Sequence, residues 1–268
     1  MEDLKFVTDI FSEKEANAVV LRVNCPQSLI EASQMFEPFD IEKKKNLLEN
    51  TRIFDAGEVK LGEVTVRTKK IMESGKLPML LAERHVASLE AVKALPKGTK
   101  LVVFDAHSDM KDEYAEGDYK PVDKKTNYAT WLRRACEAVG VESIFLLGVR
   151  SCDEDESEFM KNIAYATAWD IKNSMSQTVK RLAEFLNGAK AYVSIDVDVF
   201  DPSIAPAVEN PEPNGLSYGE FMQLIEAMQP KNIIGMDLVE IRPLERNNRV
   251  TEFLAVKVIF EILSLIFS

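Results

Sequence analysis

The hydrophobic positions of the chain fall into short, nearly continuous apolar runs separated by longer amphipathic stretches. The runs are rich in aliphatic and β-branched residues and do not alternate with polar ones, a pattern typical of parallel strands covered on both faces. The runs predict strands at 17–23, 52–57, 77–82, 100–106, 143–149, 191–197 and 232–238, with a weaker candidate at 164–170.

The stretches between these runs place apolar residues three and four positions apart, as amphipathic helices do. They predict helices at 64–74, 128–140, 176–188 and 217–229. Ser217 and Glu220 have the spacing of a capping box, and Gly140 stands where a helix end is expected. The alternation of strands and helices predicts one three-layer α/β/α domain over residues 1–268, with a mostly parallel sheet of about eight strands.

Nothing in the chain predicts a membrane span or a secretory signal. The longest apolar stretch, 253–267, is shorter than the roughly 20 residues of a span, and Lys257 and Glu261 interrupt it. The first fifteen residues carry acids and no apolar core of a signal peptide. The three cysteines form no C-x-x-C pair, as expected of free thiols in a reducing compartment. We therefore expect a cytoplasmic protein with no membrane partner.

The charge balance narrows the class of partner. Lys and Arg number 33 against 44 Asp and Glu, which gives a net charge of −11. An acidic chain is a poor match for the phosphates of a nucleic acid, whereas it accommodates a neutral or cationic small molecule. We expect no nucleic-acid partner.

Acidic residues and both histidines of the chain stand at the ends of predicted strands. In a doubly wound sheet, ligands bind outside the carboxyl ends of the strands. The side chains at these ends are His85, Asp105, His107, Asp109, Asp196, Asp198 and Glu240. We expect them to gather at one rim of the sheet.

This set of side chains favours divalent metal ions. Asp105, His107 and Asp109 are two positions apart, so on an extended segment they face the same side. Four clustered aspartates repel one another unless cations neutralise them, and two divalent ions offset their charge. Oxygen ligands with two imidazoles and no thiolate favour Mn²⁺ over a structural zinc site. Two adjacent ions activate a water, which predicts hydrolysis of a planar carbon centre or a phosphoester, and the acidic rim favours a cationic substrate.

Two motifs resemble those of the arginase/agmatinase (ureohydrolase) family. "DAHSD" at 105–109 is similar to the family's D-A-H-x-D, and "SIDVDVFDP" at 194–202 to its S-x-D-x-D-x-x-D-P. The resemblance implies an arginase-like fold, two Mn²⁺ ions and hydrolysis of a guanidinium group to urea and an amine. It also implies a homo-oligomer, commonly a trimer or hexamer.

The resemblance further implies a role for each of these positions. Asp105 and Asp196 would bridge both ions, His85 and Asp109 would complete one site, and His107 and Asp198 the other. Asp109 would also accept a hydrogen bond from the shared hydroxide, and Glu240 in "DLVEIRP" would hold the substrate guanidinium. An agmatine-like small cation is the expected substrate.

Three departures from the family pattern bear on activity. The family usually has G-G-D/E-H-S around its first metal histidine, whereas this chain has Glu83 and Arg84 before His85. Arg84 would oppose metal binding if it points inward, and would be harmless if it pairs with Glu83. Tyr128 stands where the family often has a proton-shuttling histidine, and a tyrosine donates protons less readily at neutral pH. The segment 206–213 replaces a glycine-rich loop.

These departures leave alternatives open. One is a non-catalytic or weakly active relative, and another is the same chemistry on arginine, guanidinobutyrate or a formimino compound. Glu240 has a structural alternative, an ion pair with Arg242 or Arg246. The loop 110–125 offers acids for the far amine of a diamine-like substrate, or is simply a surface loop. Those acids are Asp112, Glu113 and Glu116.

Overall fold

The structure is a computed structural model that describes residues 4–7, 11–115, 123–243 and 249–268. Its strands are β1 (Ala18–Val23), β2 (Phe39–Asp40), β3 (Lys45–Asn46), β4 (Ile53–Glu58), β5 (Leu77–Ala82), β6 (Lys100–Phe104), β7 (Ile144–Val149), β8 (Ala164–Thr167), β9 (Ala191–Asp196) and β10 (Ile233–Val239). Its α-helices are α1 (Gln27–Met35), α2 (Val64–Glu73), α3 (Val86–Val92), α4 (Trp131–Val139), α5 (Glu154–Met160), α6 (Ala168–Asn173), α7 (Met175–Leu186), α8 (Tyr218–Ala227) and α9 (Val250–Ile266).

Eight of the strands form one sheet in the order β4-β1-β5-β10-β9-β6-β7-β8. Every pairing within it is parallel. The short strands β2 and β3 form a separate antiparallel pair. The predicted α/β class with a parallel sheet of about eight strands is confirmed.

Helices cover both faces of the sheet, which explains the unbroken apolar runs. In β6, Val102 and Phe104 belong to one apolar cluster, with residues of α1, α7, α8 and α9. Leu101 and Val103 belong to the opposite cluster, with residues of α2, α3 and α4. Each strand of this kind buries both faces, so the three-layer arrangement follows from its sequence pattern.

The bounds of two predicted elements differ from the structure by three residues at one end. The weaker strand candidate at 164–170 ends at Thr167, where a capping box with Asp170 starts α6. Thr167 Oγ1 accepts a hydrogen bond from Asp170 N at 3.0 Å. The helix predicted from residue 128 begins at Trp131, because Asn127 and Thr130 form a hydrogen-bonded turn before it.

The apolar stretch near the carboxyl end forms α9, and it packs on the core. Lys257 donates to Asp40 at 2.6 Å and pairs with Glu261 one turn later. Among the described residues, no helix has the length and hydropathy required to cross a bilayer.

The topology places four polar strand ends side by side. β5, β10, β9 and β6 are consecutive neighbours in the sheet although they are far apart in sequence. Their ends are also in register, since Val239 pairs with both Ala82 and Asp196. The residues that follow these strands therefore meet at one point of the rim.

Candidate metal centre

The structure brings all six predicted metal ligands together above these strand ends. Two groups have ligand atoms within 4.8 Å of one another among the described residues, and they share Asp105. The members are His85, Asp105 and Asp109 in one group, and Asp105, His107 and Asp198 in the other. Asp196 belongs to neither group, but its Oδ2 lies 3.2 Å from His85 Nδ1. The arrangement has the shape of two adjacent cation sites with a shared carboxylate.

The hydrogen bonds of His85 leave one ring nitrogen facing carboxylates. Ser194 Oγ donates to Asp237 Oδ1 at 2.7 Å, so the same oxygen is available to accept from His85 Nε2, 3.0 Å away. With its proton on Nε2, His85 directs the Nδ1 lone pair at Asp105 Oδ2, 3.1 Å away, and at Asp196. Within the described residues, neither His85 Nδ1 nor Asp105 Oδ2 has a hydrogen-bond partner. This nitrogen can bind a cation through its lone pair, or a proton when no cation is bound.

Main-chain amides orient the carboxylates of the second group. Asp105 Oδ1 accepts from His107 N at 2.7 Å, and Asp198 Oδ1 accepts from Ala106 N at 3.0 Å. The other oxygen of Asp198 lies 2.8 Å from His107 Nδ1. Asp196 Oδ1 accepts from Asp198 N at 2.8 Å. Asp105, Asp196 and Asp198 therefore each have one oxygen fixed by the backbone and one directed into the cluster.

Trp131, which we did not predict as a site residue, contacts two members of the first ligand group, His85 and Asp109. Its Nε1 donates to Asp109 Oδ2 at 2.9 Å, and its ring stacks on His85 with centroids 4.1 Å apart. Asp109 adopts a left-handed backbone conformation, with φ of 50°. A fully buried indole at the start of α4 thus fixes a carboxylate whose backbone has an uncommon conformation.

Replacing Trp131 by phenylalanine tests this support. The ring stack on His85 is retained, whereas the hydrogen bond to Asp109 is lost. Because outer partners of metal ligands contribute about 10–100-fold to affinity, we expect Mn²⁺ affinity to fall at least tenfold. Equilibrium dialysis measures the affinity, with Trp169→Phe, an exposed residue, as the control. Unchanged affinity would show that the indole N–H does not support the site.

Four further residues outside the predicted set hold the loops of the centre. Glu156 accepts from Ser108 Oγ at 2.6 Å and from Met110 N at 2.9 Å, on either side of Asp109. Arg150 donates to the carbonyl of Asp198 at 2.8 Å and to that of Glu212 at 2.9 Å. Ser194 and Asp237 could have been recognised from the sequence as candidate site residues, since each is a polar residue inside an apolar strand. Trp131 and Arg150 could not have been recognised in this way, because only the folded chain brings their donor groups to these acceptors.

Burial and mutual repulsion set the protonation of the cluster. Burial raises the pKa values of Asp105, Asp109 and Asp196, and neighbouring carboxylates raise them further. Burial alone would lower the pKa of His107, but its bond to Asp198 prevails and raises the pKa to about 10. Burial likewise opposes the charged form of His85, yet Asp105 and Asp196 raise its pKa well above 6.5. Bound protons therefore reduce the repulsion among these carboxylates in the absence of metal, as bound divalent cations would.

The thermal stability of the metal-free protein should therefore fall as the pH rises. His107 has a pKa of 6.5 when unfolded and about 10 when folded, so its stabilising effect is complete below pH 6.5 and is lost toward pH 10. The aspartates with raised pKa values act in the same direction. We expect a lower Tm at about pH 9 than at about pH 6.5, with a smaller difference in His107→Asn. Thermal unfolding followed by circular dichroism decides this, and a Tm that rises over that interval would contradict it.

The predicted substrate-binding residue Glu240 lies at the wall of a cavity above the cluster. The cavity has a volume of 330 Å³, and Asp109, Asp196, Asp198 and Glu240 are among the residues that line it. Glu240 has a positive φ of 64°, its Oε1 accepts from His85 N at 2.7 Å, and burial raises its pKa to about 7. The tight turn after β10 thus presents this carboxylate next to the metal ligands.

The alternative ion pair of Glu240 with Arg242 is not formed. Arg242 bonds to Glu83 and to Glu209, whereas the cation beside Glu240 is Arg84, at 3.7 Å. The pairing of Arg84 with Glu83, considered from the sequence, is not formed, since Arg84 bonds to Glu209 instead. The alternative partner Arg246 lies outside the described residues.

Tyr128 and the acids of the loop 110–125 take separate places. Tyr128 lines the cavity, with its ring 5.0 Å from Arg84 Cζ and 5.7 Å from the ring of Tyr114. Asp112 bonds to Arg134 at 3.0 Å and Glu113 lies 3.6 Å from Lys125, and both line an adjoining cavity instead. Glu116 lies outside the described residues. Asp112 and Glu113 are therefore paired with basic side chains.

Known proteins are similar to this chain in sequence and in fold. Residues 23–264 match the family model described as "Arginase family". The chain is 29% identical to an agmatinase of Halalkalibacterium halodurans over 253 residues, covering 89% of this chain and 83% of the relative. It is 35% identical over 188 residues to an N(1)-aminopropylagmatine ureohydrolase of Thermococcus kodakarensis, covering 69% and 60%. The crystal structure of an agmatine ureohydrolase of Thermoplasma volcanium superposes with a TM-score of 0.84 at 28% identity, covering 98% of this chain and 94% of that one.

Proposed function

This chain belongs to the arginase family, and from that premise we propose that it is a metal-dependent ureohydrolase of small, cationic, agmatine-like guanidino compounds. In the reaction, water adds to the guanidinium carbon, the bond from that carbon to the substituted nitrogen breaks, and urea and an amine are released. Agmatinase and ureohydrolase are the names of the relatives above. The observation that carries the proposal is the convergence of six ligand side chains, with the His85 lone pair directed at carboxylates.

The six ligands fit two divalent cations, which we propose to be Mn²⁺. His85 and Asp109 would hold one ion, His107 and Asp198 the other, and Asp105 and Asp196 both. When bound, the two ions supply charge neutralisation and an activated water. The oxygen-rich donor set, with two imidazoles and no thiolate among them, supports an intermediate ion such as Mn²⁺.

The remaining steps fall to side chains of the cavity. Glu240 holds the substrate guanidinium with its carboxylate, and Asp109 orients the attacking water by accepting a hydrogen bond from it. Tyr128 is proposed as the group that delivers a proton to the leaving amine, because it lines the same cavity. Burial supports these roles, since charge interactions strengthen where water is excluded.

The charge of the cavity supports a cationic substrate. Beyond the metal ligands, the acids Asp153, Glu156, Glu209 and Glu212 outnumber the bases Arg84 and Lys111. A second candidate is the same chemistry on arginine or guanidinobutyrate, because those two bases offer partners for a carboxylate. We also propose one ureohydrolase-like domain over residues 1–268, a homo-oligomer (trimer or hexamer) and a cytoplasmic location, on the basis of family membership.

Urea release tests the proposed function. Agmatine, aminopropylagmatine, arginine and guanidinobutyrate are compared at equal concentration, with and without added Mn²⁺. We expect Mn²⁺-dependent urea from agmatine at the highest rate. No urea from any of the four, with metal demonstrably bound, would refute the proposal.

A further inference from the structure

Arg84 places a guanidinium group inside the substrate cavity. It lines the cavity together with Glu240 and Asp109, and 29% of its side chain is exposed. Its Cζ lies 5.0 Å from the ring centroid of Tyr128, so the guanidinium rests on an aromatic face. The chemical group that the proposed reaction consumes is therefore already present in the cavity as part of the chain.

The two oxygens of Glu240 have different neighbours. Oε1 accepts the hydrogen bond from His85 N at 2.7 Å, which fixes the carboxylate. Oε2 is the oxygen available for a ligand, and Arg84 Nη1 lies 3.7 Å from it. A substrate guanidinium that binds Glu240 meets this resident guanidinium at the same oxygen. The two guanidinium groups carry like charges and repel each other at this distance, so Arg84 must move away when a substrate binds Glu240.

We propose that Arg84 competes with the substrate for Glu240 and so sets the affinity for guanidino compounds. This inference rests on the proposed role of Glu240. Arg84 has a second partner, because its Nη1 and Nη2 both face the carboxylate of Glu209. Glu209 retains Arg84 when a substrate takes Oε2 of Glu240. The balance between Glu209 and Glu240 then determines how readily the cavity admits a guanidinium.

The competition predicts effects of opposite sign for two neighbouring residues. Arg84→Gln removes the competitor, so the guanidinium ion should bind roughly fivefold more tightly, as expected for a partly exposed charge pair. Glu209→Gln removes the alternative partner, so Arg84 holds Glu240 more firmly and binding should weaken. In the double variant the effect of Glu209→Gln should become clearly smaller, because no Arg84 remains to be held and only the loss of one cavity acid is left.

The probe is the guanidinium ion, which has no tail and reports only on the guanidinium position. Its dissociation constant is measured by calorimetry on Mn²⁺-saturated protein, with metal content and Tm checked for each variant. Lys111→Gln is the matched control, since Lys111 lines the same cavity but pairs with Asp153 and Glu156, and the guanidinium ion has no carboxylate that Lys111 could bind. We expect the control to change binding by less than about twofold.

The outcomes separate this inference from the proposed function. Weaker or unchanged binding in Arg84→Gln, or no binding by any variant, overturns the competition. If Arg84→Gln weakens the binding of guanidinobutyrate and leaves the binding of the guanidinium ion unchanged, Arg84 binds a substrate carboxylate and the competition is overturned. An effect of Glu209→Gln that is as large in the double variant as in the single variant also overturns it. The proposed function is refuted only by the absence of urea release, and this binding measurement does not depend on urea release.

Discussion

Replacing Asp105 by asparagine is expected to abolish urea release, by roughly 1,000-fold or more, because it removes the carboxylate shared by both candidate cation sites. Asp105 is fully buried, and one of its oxygens faces His85 while the other accepts from the backbone of His107. An amide still accepts the backbone hydrogen bond, so the loop should be retained. Urea release and bound Mn²⁺ per chain should both fall.

The same substitution should not destabilise the metal-free protein. Burial raises the pKa of Asp105, and the charge of Asp198 raises it further, so the ionised carboxylate is unfavourable without a cation. A neutral amide relieves that cost, and the Tm without metal should stay equal or rise. Asp112→Asn, at an exposed acid paired with Arg134, is the control for activity. A variant that keeps both bound ions and most of its activity would show that Asp105 is not shared between them.

Replacing Glu240 by glutamine should have the second largest effect, a loss of about 100-fold in kcat/KM. The side chain keeps its shape and its oxygen for the backbone N–H of His85. The negative charge that faces a guanidinium is lost, and a buried cation then has no counter-charge. Steady-state kinetics with agmatine measures the change.

Metal content distinguishes this variant from Asp105→Asn. Glu240 belongs to neither ligand group in the described residues, so Glu240→Gln should retain two ions per chain. Loss of activity with full metal content assigns Glu240 to the substrate. An unchanged kcat/KM would remove Glu240 from the mechanism and would also remove the basis for competition by Arg84.

The strands could be predicted from sequence because burial on both faces demands long apolar runs. β5 has the predicted bounds, and β1, which was predicted from residue 17, begins at Ala18. The hairpin of Phe39–Asp40 and Lys45–Asn46 was not predicted, since strands of two residues carry no periodic pattern. The end of β8 was misplaced because Thr167 caps a helix through Asp170, a local bond that competes with strand geometry.

The candidate site was predictable where function places unusual residues at strand ends. His85 and His107 stand out because they follow apolar runs, and the sheet order brings those runs together. The contacts of Arg84 and Trp131 were not predictable in the same way. The indole donates to Asp109 where the backbone has a positive φ, and Arg84 bonds to Glu209, which lies on a distant loop, instead of its sequence neighbour Glu83. Neither contact has a pattern in the sequence.

Anomalous diffraction from crystals soaked in Mn²⁺ tests the central claim most directly. The account predicts two peaks about 3.5–4 Å apart, one beside His85 and Asp109 and the other beside His107 and Asp198. Asp105 should contact both peaks. A single peak, no peak at saturating Mn²⁺, or a pair of peaks away from these side chains would contradict it.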